Sequence, residues 1–218
     1  WNTSKVTAMR LMFRGAVLFD QDLNMWNTGN VENMAGMFWG ADEFDQDLDA
    51  WNTEKVQRMD QMFQSADKFN GKIGPWNTAK VTMMSRMFSS AEEFDQDLDG
   101  WNTAKVQEMD YMFEHAYKFN GNIGSWNTSE VTTMRNMFAS AYQFDQDISG
   151  WNTARVLYMN WMFYIAKKFN QDLSAWNIAR VLSMEDMFLQ AYSFAQALCW
   201  VVDAAVTTQD TFLRAGCG

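Results

Sequence analysis

Trp1, Trp26, Trp51, Trp76, Trp101, Trp126, Trp151 and Trp176 stand 25 residues apart, with no insertion or deletion between them. Each opens a copy of the phrase WNTxxVxxMxxMFxxAxxFxxDL, so eight copies of one unit follow one another. A unit this short cannot bury an apolar face alone. Stacked against its neighbours it can, and the repeat therefore restricts the chain to a solenoid. The columns that begin at Val6, Met9, Met12, Phe13, Ala16 and Phe19 are invariant through the eight copies, and the column of Leu23 holds only Leu or Ile. Asn follows every repeat Trp, and Thr follows Asn in all copies but the last, where Ile178 takes its place.

The remaining composition is consistent with one elongated domain. The 218 residues are 48% apolar, enough for a long core, and the single Pro and 12 Gly are too few for a chain of linked domains. No uninterrupted apolar run is long enough to span a bilayer as a helix. The net charge of −10 argues against nucleic acid, which requires a basic footprint, and favours cations or basic partners wherever acids cluster. No basic segment followed by an apolar one opens the chain as a signal peptide would. Because the sequence starts inside its own motif, we expect a piece of a longer polypeptide whose remainder carries a leader and an N-terminal cap.

Within one coil, Trp1 is expected to lie against Trp26 in an aromatic row, and Asn2 and Thr3 to form a corner, with Asn laddering from coil to coil. Val6, Met9, Met12, Phe13 and Ala16 are spaced three, three, one and three apart. This predicts an irregular or 3₁₀ start near Val6 and a short helix over about Met9 to Ala16 with one inward stripe, a core role for the Met column rather than a soft-metal site. Phe19, Gln21 and Leu23 alternate with Asp20, Asp22 and Asn24, which predicts a short strand. Its acids would face outward and its coils would be spaced about 4.8 Å apart. The fold class expected is an α/β solenoid, with Gln21, Gln46, Gln96, Gln146, Gln171 and Gln196 bonding along the stack.

Carried by WNTxxVxxMxxMFxxAxxFxQDL, the chain from Trp1 to about Leu198 resembles the 25-residue repeats of BspA-like leucine-rich-repeat surface proteins, a mycoplasma-type lipoprotein repeat of unknown function. The resemblance implies a right-handed, leucine-rich-repeat-like stack, displayed at a cell surface or secreted, that adheres or binds partners and carries no catalytic residues. An organellar or intracellular assembly is the alternative setting.

Function must then lie in the variable positions. The expected outward acids are Asp20 and Asp22 in the first copy, Asp45, Asp47 and Asp49 in the second, Asp95, Asp97 and Asp99 in the fourth, and Asp145 and Asp147 in the sixth. The third copy has Asn70, Lys72 and Gly74 there and the fifth Asn120, Asn122 and Gly124, as though a 50-residue unit had been duplicated. Two readings fit. Interleaved neutral coils relieve like-charge repulsion between strands, or the Asp pairs offer oxygen ligands to Ca²⁺, although no EF-hand glycine and terminal glutamate accompany them.

The seventh copy adds Leu157, Tyr158, Trp161, Tyr164 and Ile165 to the core columns, and Leu182 and Leu189 follow in the eighth. Such a patch is either a partner interface or a surface covered by a flanking segment. Beyond Leu198 the motif decays. Residues 199–218 read as a degenerate ninth copy capping the eight repeats of 1–198, with Val206 in phase and Cys199 and Cys217 either bonded or two reduced thiols.

Catalysis has little to work with: the lone His115 sits at a variable position, and no phosphate loop, Cys–His metal spacing or hydrolase elbow is present. The sequons at Asn2 and Asn127 use the repeat Asn and are expected as chance matches. The function expected is a noncatalytic protein-recognition or adhesion module. The alternatives are a scaffolding subunit of a larger assembly and, as a minor reading, a calcium-, ice- or mineral-surface-binding solenoid.

Overall fold

The computed structural model describes residues 1–203 and 206–208. We number the coils by their repeat Trp: coil 1 is residues 1–25, coil 2 is 26–50, and so on to coil 8, residues 176–200. Neighbouring coils run parallel and meet at one bridge each, from Ala8 to Asn33, Arg58, Met83, Glu108, Thr133, Tyr158, Ser183 and finally Thr207.

Among the described residues neither the expected helix nor the expected strand forms, and tight turns take their place. The backbone bonds show why. Met12 N–H donates to Met9 C=O, Arg14 to Leu11 and Ala16 to Phe13, closing four-residue β-turns within the coil. The intervening N–H groups point elsewhere: Met9, Leu11, Phe13 and Gly15 donate to Asn33, Ala35, Met37 and Trp39 of the next coil. A helix would direct these donors along its own axis to the residue four back, leaving the coil faces with few bonds to exchange. Turns satisfy alternate donors locally and free the others for the stack.

In the Met9–Met12 and Phe13–Ala16 turns the third residue, Leu11 or Gly15, adopts the left-handed conformation, as in a type II turn. Every described coil does so at two positions. The first set runs Leu11, Gly36, Gln61, Arg86, Tyr111, Asn136, Trp161 and Asp186, and the second Gly15, Gly40, Ser65, Ser90, His115, Ser140, Ile165 and Gln190, with φ between 52° and 71°. The 3-residue sequence spacing was therefore real, but it belonged to turns. Thr3 with Val6, Met9 with Met12, Phe13 with Ala16, Ala16 with Phe19, and Leu23 with Trp26 are each joined by a turn hydrogen bond, so invariant residues occupy turn ends that face inward.

The core inside these turns is three columns of rings. From Trp51 to Trp176 successive indoles are stacked 6.1–6.4 Å apart and within 7° of parallel, as the sequence suggested. Each of these indole N–H groups also donates to a carbonyl 28 residues back, near the end of the coil numbered two lower: Trp51 to Leu23 C=O, Trp76 to Leu48, Trp126 to Leu98. The two Phe columns stack face to face within a coil, at 3.8 Å for Phe63 on Phe69 and for Phe113 on Phe119, and again along the axis. Through the central coils the Val, Met, Phe and Ala columns are fully buried.

The corner differs from expectation in one respect. Asn does not ladder; its Oδ1 accepts the N–H two residues on, as Asn52 does from Glu54 and Asn102 from Ala104, closing an exposed turn of its own coil. Thr makes the intercoil link instead. Buried at 0–5% exposure, the Thr column sends hydroxyls up the stack, Thr53 to Asn77 C=O and Thr103 to Asn127 C=O, each 3.0 Å. A surface array built on Thr, as an ice-binding face needs, is therefore not what this column makes.

Ser65→Gly separates the turn from a helix. At φ 53° a side chain is strained, and its removal is expected to stabilise the fold by about 1 kcal/mol in urea denaturation. A helical position would lose roughly 0.5 kcal/mol on the same change.

Candidate functional site

Two surfaces singled out by sequence take shape on the stack, an acidic edge and an aromatic wall. Along the edge, the first acid of each coil does not project freely. Asp20 Oδ1 accepts Asp45 N–H, Asp45 accepts Asn70, Asn70 accepts Asp95, Asp95 accepts Asn120, Asn120 accepts Asp145, and Asp145 accepts Asn170, all at 2.7–3.0 Å. Ala195 donates the last N–H and, having no side-chain oxygen, ends the ladder. This is a structural use of Asp and Asn that the outward-acid reading missed. The column accepts either residue because both carry Oδ1.

Gln amides reinforce it: Gln46 donates to Asp20 Oδ1 and Gln96 to Asn70 Oδ1. Where Gly71 and Gly121 replace Gln, the backbone moves in against the previous coil. A Cβ there would lie 2.1 Å from Gln46 O or 2.2 Å from Gln96 O. Leu48 and Leu98 N–H groups then reach Lys72 and Asn122 carbonyls, bonds that only these coil pairs make at this column among the described residues. The 50-residue alternation is thus a packing alternation as well as one of charge.

The other acids are also engaged. Asp47 accepts the N–H and ammonium of Lys72, and Asp97 the N–H of Asn122; Asp22 and Asp147 close turns onto Asn24 and Ser149. Asp49 receives the Asn24 amide and Asp99 the N–H of Ser125. Among the described residues no group of three or more His, Cys, Asp or Glu gathers as a metal would require.

Burial raises the carboxyl pKa values of Asp45 and Asp95, against the opposing N–H bonds from Asn70 and Asn120. The bond and charge of Lys72 lower that of Asp47. An acid whose folded pKa is raised favours folding at low pH and costs stability as pH rises through it; Asp47 does the reverse and loses its contribution as pH falls.

The aromatic wall is built on the turns of coils 7 and 8. Trp161 and Ile165 occupy the two left-handed positions of coil 7, and Tyr164 lies between them. Their N–H groups join this wall to coil 8, Trp161 to Glu185 C=O and Ile165 to Leu189 C=O. Left-handed corners turn side chains out of the core, so Trp161, Tyr164, Ile165 and Leu189 remain half-exposed. Leu157 and Leu182 stack on a separate corner, where Leu182 N–H donates to Leu157 C=O, and they line a cleft with Val201, Val202 and Val206. Tyr158 stands between, on the bridge column.

A polar relay leads into this wall. Asp110, 9% exposed, accepts the Thr133 hydroxyl and the N–H and guanidinium of Arg135, and Arg135 lies 5.0 Å from the Tyr158 ring centroid. Trp161 Nε1 donates to Asp186 Oδ2 at 2.9 Å. Of the four buried side-chain polar atoms without a partner among the described residues, two belong to this wall, Asn160 Oδ1 and Asp186 Oδ1, and a third, Arg135 Nε, to coil 6 beside it. Sequence periodicity could not expose them, because each depends on a neighbour one coil away.

His115 is a left-handed turn residue with its ring edge toward Tyr117. Cys199 is exposed, while Cys217 and most of the expected ninth copy lie outside the described residues, so their pairing does too. Val206 to Thr208 are described, and Thr207 continues the bridge column from Ser183. No helix among the described residues is long and apolar enough to cross a membrane.

The acidic ladder makes a specific prediction. Asp45→Asn with Asp95→Asn keeps every Oδ1 acceptor and removes two desolvated charges. Thermal stability at neutral pH should rise by at most about 0.5 kcal/mol per site, since both groups reach solvent, and the gain should vanish in acid, where Asp is itself neutral. Asp45→Ala should instead cost about 1 kcal/mol by stranding the Asn70 N–H.

No curated protein matches the chain. One family model matches it in three overlapping spans, residues 1–98, 47–144 and 118–216, and is described as DUF285, Mycoplasma protein of unknown function. Together these spans take in every coil described above, and the chain is a member of the DUF285 family.

Proposed function

We propose that this chain is a noncatalytic recognition module, a leucine-rich-repeat-like solenoid of the BspA-like kind displayed at a cell surface or secreted, and that the aromatic wall of coils 7 and 8 is its protein-binding face. The observation that carries this reading is the coincidence of two features on one wall. Half-exposed Tyr158, Trp161, Tyr164, Ile165 and Leu189 gather there, and so do two of the four unpartnered buried polar atoms among the described residues, Asn160 Oδ1 and Asp186 Oδ1. Folding alone accounts for neither. In most other coils these outward columns are polar, as at Gln57, Arg58 and Gln61, with Leu11, Trp39, Met83 and Tyr111 as scattered exceptions, and the stack forms equally well around them. Aromatic side chains left half-exposed together on one wall point to a surface covered by a partner.

The chemistry of the wall also limits the partner. Trp161 and Tyr158 offer ring faces, Asp186 and Glu185 carry negative charge, and the chain as a whole bears −10. A protein segment with apolar side chains and at least one cation suits this combination.

The test is a binding screen of the whole chain against extracellular and surface proteins, followed by Trp161→Ala. Loss of an aromatic anchor should weaken the partner by about 2 kcal/mol, near thirtyfold, with little change in melting midpoint. Unchanged affinity in a folded Trp161→Ala variant would remove the wall from the interface. Sedimentation of the isolated chain as large aggregates that dissolve only with a partner would favour a scaffolding subunit.

A further inference from the structure

The corner opposite in character to the acidic edge is the turn between the repeat Asn and Val. Its outermost residue is Lys5, Asn30, Lys55, Lys80, Lys105, Glu130, Arg155 and Arg180 in coils 1 to 8, and all are exposed. Elsewhere opposite charges meet across coils, Lys68 with Glu43, Lys118 with Glu93 and Lys72 with Asp47, although Asp42, Asp67 and Glu92 form a run of acids in coils 2 to 4. Arg155 and Glu130 follow that rule on this corner too. Coils 3 to 5 break it. Lys55, Lys80 and Lys105 succeed one another with no acid between; Lys55 meets only the neutral Asn30 Oδ1, and Lys80 and Lys105 have no partner among the described residues.

Like charges on adjacent strands oppose stacking, so the fold gives no reason to line up three of them. The bridges three residues further on, Arg58 to Met83 to Glu108, hold these coils about 4.8 Å apart, and the ammonium groups recur at that interval. Beside each stands the exposed repeat Asn. Its Oδ1 is already taken by the turn N–H, at 3.0 Å in Asn52 and 3.1 Å in Asn77 and Asn102, which leaves the amide NH₂ as a donor without a partner among the described residues. Small Ala79 and Ala104 keep the space between them open. In coils 4 and 5 the corner presents one cation and one neutral donor per coil and no carboxylate along Asn77 to Thr82 or Asn102 to Gln107; in coil 3 exposed Glu54 stands beside Lys55.

We propose that this corner binds a linear anionic polysaccharide, with one carboxylate or sulfate group seated on each of Lys55, Lys80 and Lys105. The advance of one coil is close to the length of one sugar ring, so a regularly charged glycan can keep register along the stack. The Asn amides donate to ring hydroxyls and anionic oxygens between the cations. Nucleic acid fits less well. No aromatic residue stands on this corner to stack a base, and the surrounding chain is acidic.

The experiment uses the 218-residue chain with heparin, alginate, neutral dextran and single-stranded DNA as probes, near physiological salt. Binding to heparin or alginate but not dextran is expected; heparin alone identifies sulfate as the anion, and both together show that carboxylate suffices. Lys80→Ala with Lys105→Ala should weaken that binding about tenfold. The control Lys68→Ala with Lys118→Ala makes the same change in net charge at paired positions and should leave affinity within about twofold. Circular dichroism and tryptophan fluorescence confirm that both variants fold. Failure to bind either anionic glycan overturns the proposal. So does equal weakening by the two double variants, or tighter binding to DNA.

Discussion

Everything in this structure depends on the backbone alternating its donors, one N–H inward to a turn of its own coil and the next outward to the following coil. The pattern is repeated at Met9, Leu11, Phe13 and Gly15 and at their counterparts up the stack, with bonds of 2.6–3.0 Å in the last three of these columns. It requires two left-handed residues per coil, and most of these carry side chains, including Tyr111, Trp161 and β-branched Ile165. Each costs on the order of 1 kcal/mol or more in an isolated peptide. Here each is held by bonds on both sides and by an aromatic core directly beneath it. The strain and the stack are therefore inseparable: releasing one turn would disconnect two coils.

The same geometry explains where function can reside. Turns place invariant residues inside and leave their corners outside, so each coil offers several outward positions that the fold does not constrain. Most are occupied by cross-coil pairs that cancel charge, such as Lys118 on Glu93, or by aromatic and cationic stacks, such as Arg86 over Tyr111 at 3.8 Å. Against this background, two departures stand out by physical criteria rather than by motif. One is a wall where aromatics and unpaired polar atoms coincide; the other is a corner where three cations go unanswered.

The acids lie outward, as their alternation with apolar residues suggested, and they also carry structure. In the structure the first Asp or Asn of each coil takes over the work of a strand's carbonyls, accepting the next coil's N–H through Oδ1. Asp and Asn are interchangeable there because they share that oxygen, and mixing them limits repulsion between successive carboxylates. Gly71 and Gly121 carried the same message in the sequence: a residue with no Cβ where others have Gln signals close approach of two backbones.

By itself the sequence determined the period, the number of coils, the inward residues and the aromatic rows, because those follow from which side chains recur and which of them water excludes. It also marked the residues of the aromatic wall. It did not determine the local backbone. A spacing of three residues suits a helix or a series of turns equally well while one coil is considered alone, and only the next coil decides, by accepting every second N–H. Asp45 against Asn70, Arg135 against Tyr158 and the run of Lys55, Lys80 and Lys105 are likewise relations between coils, 25 residues apart in the chain and in contact or in register only once it is stacked.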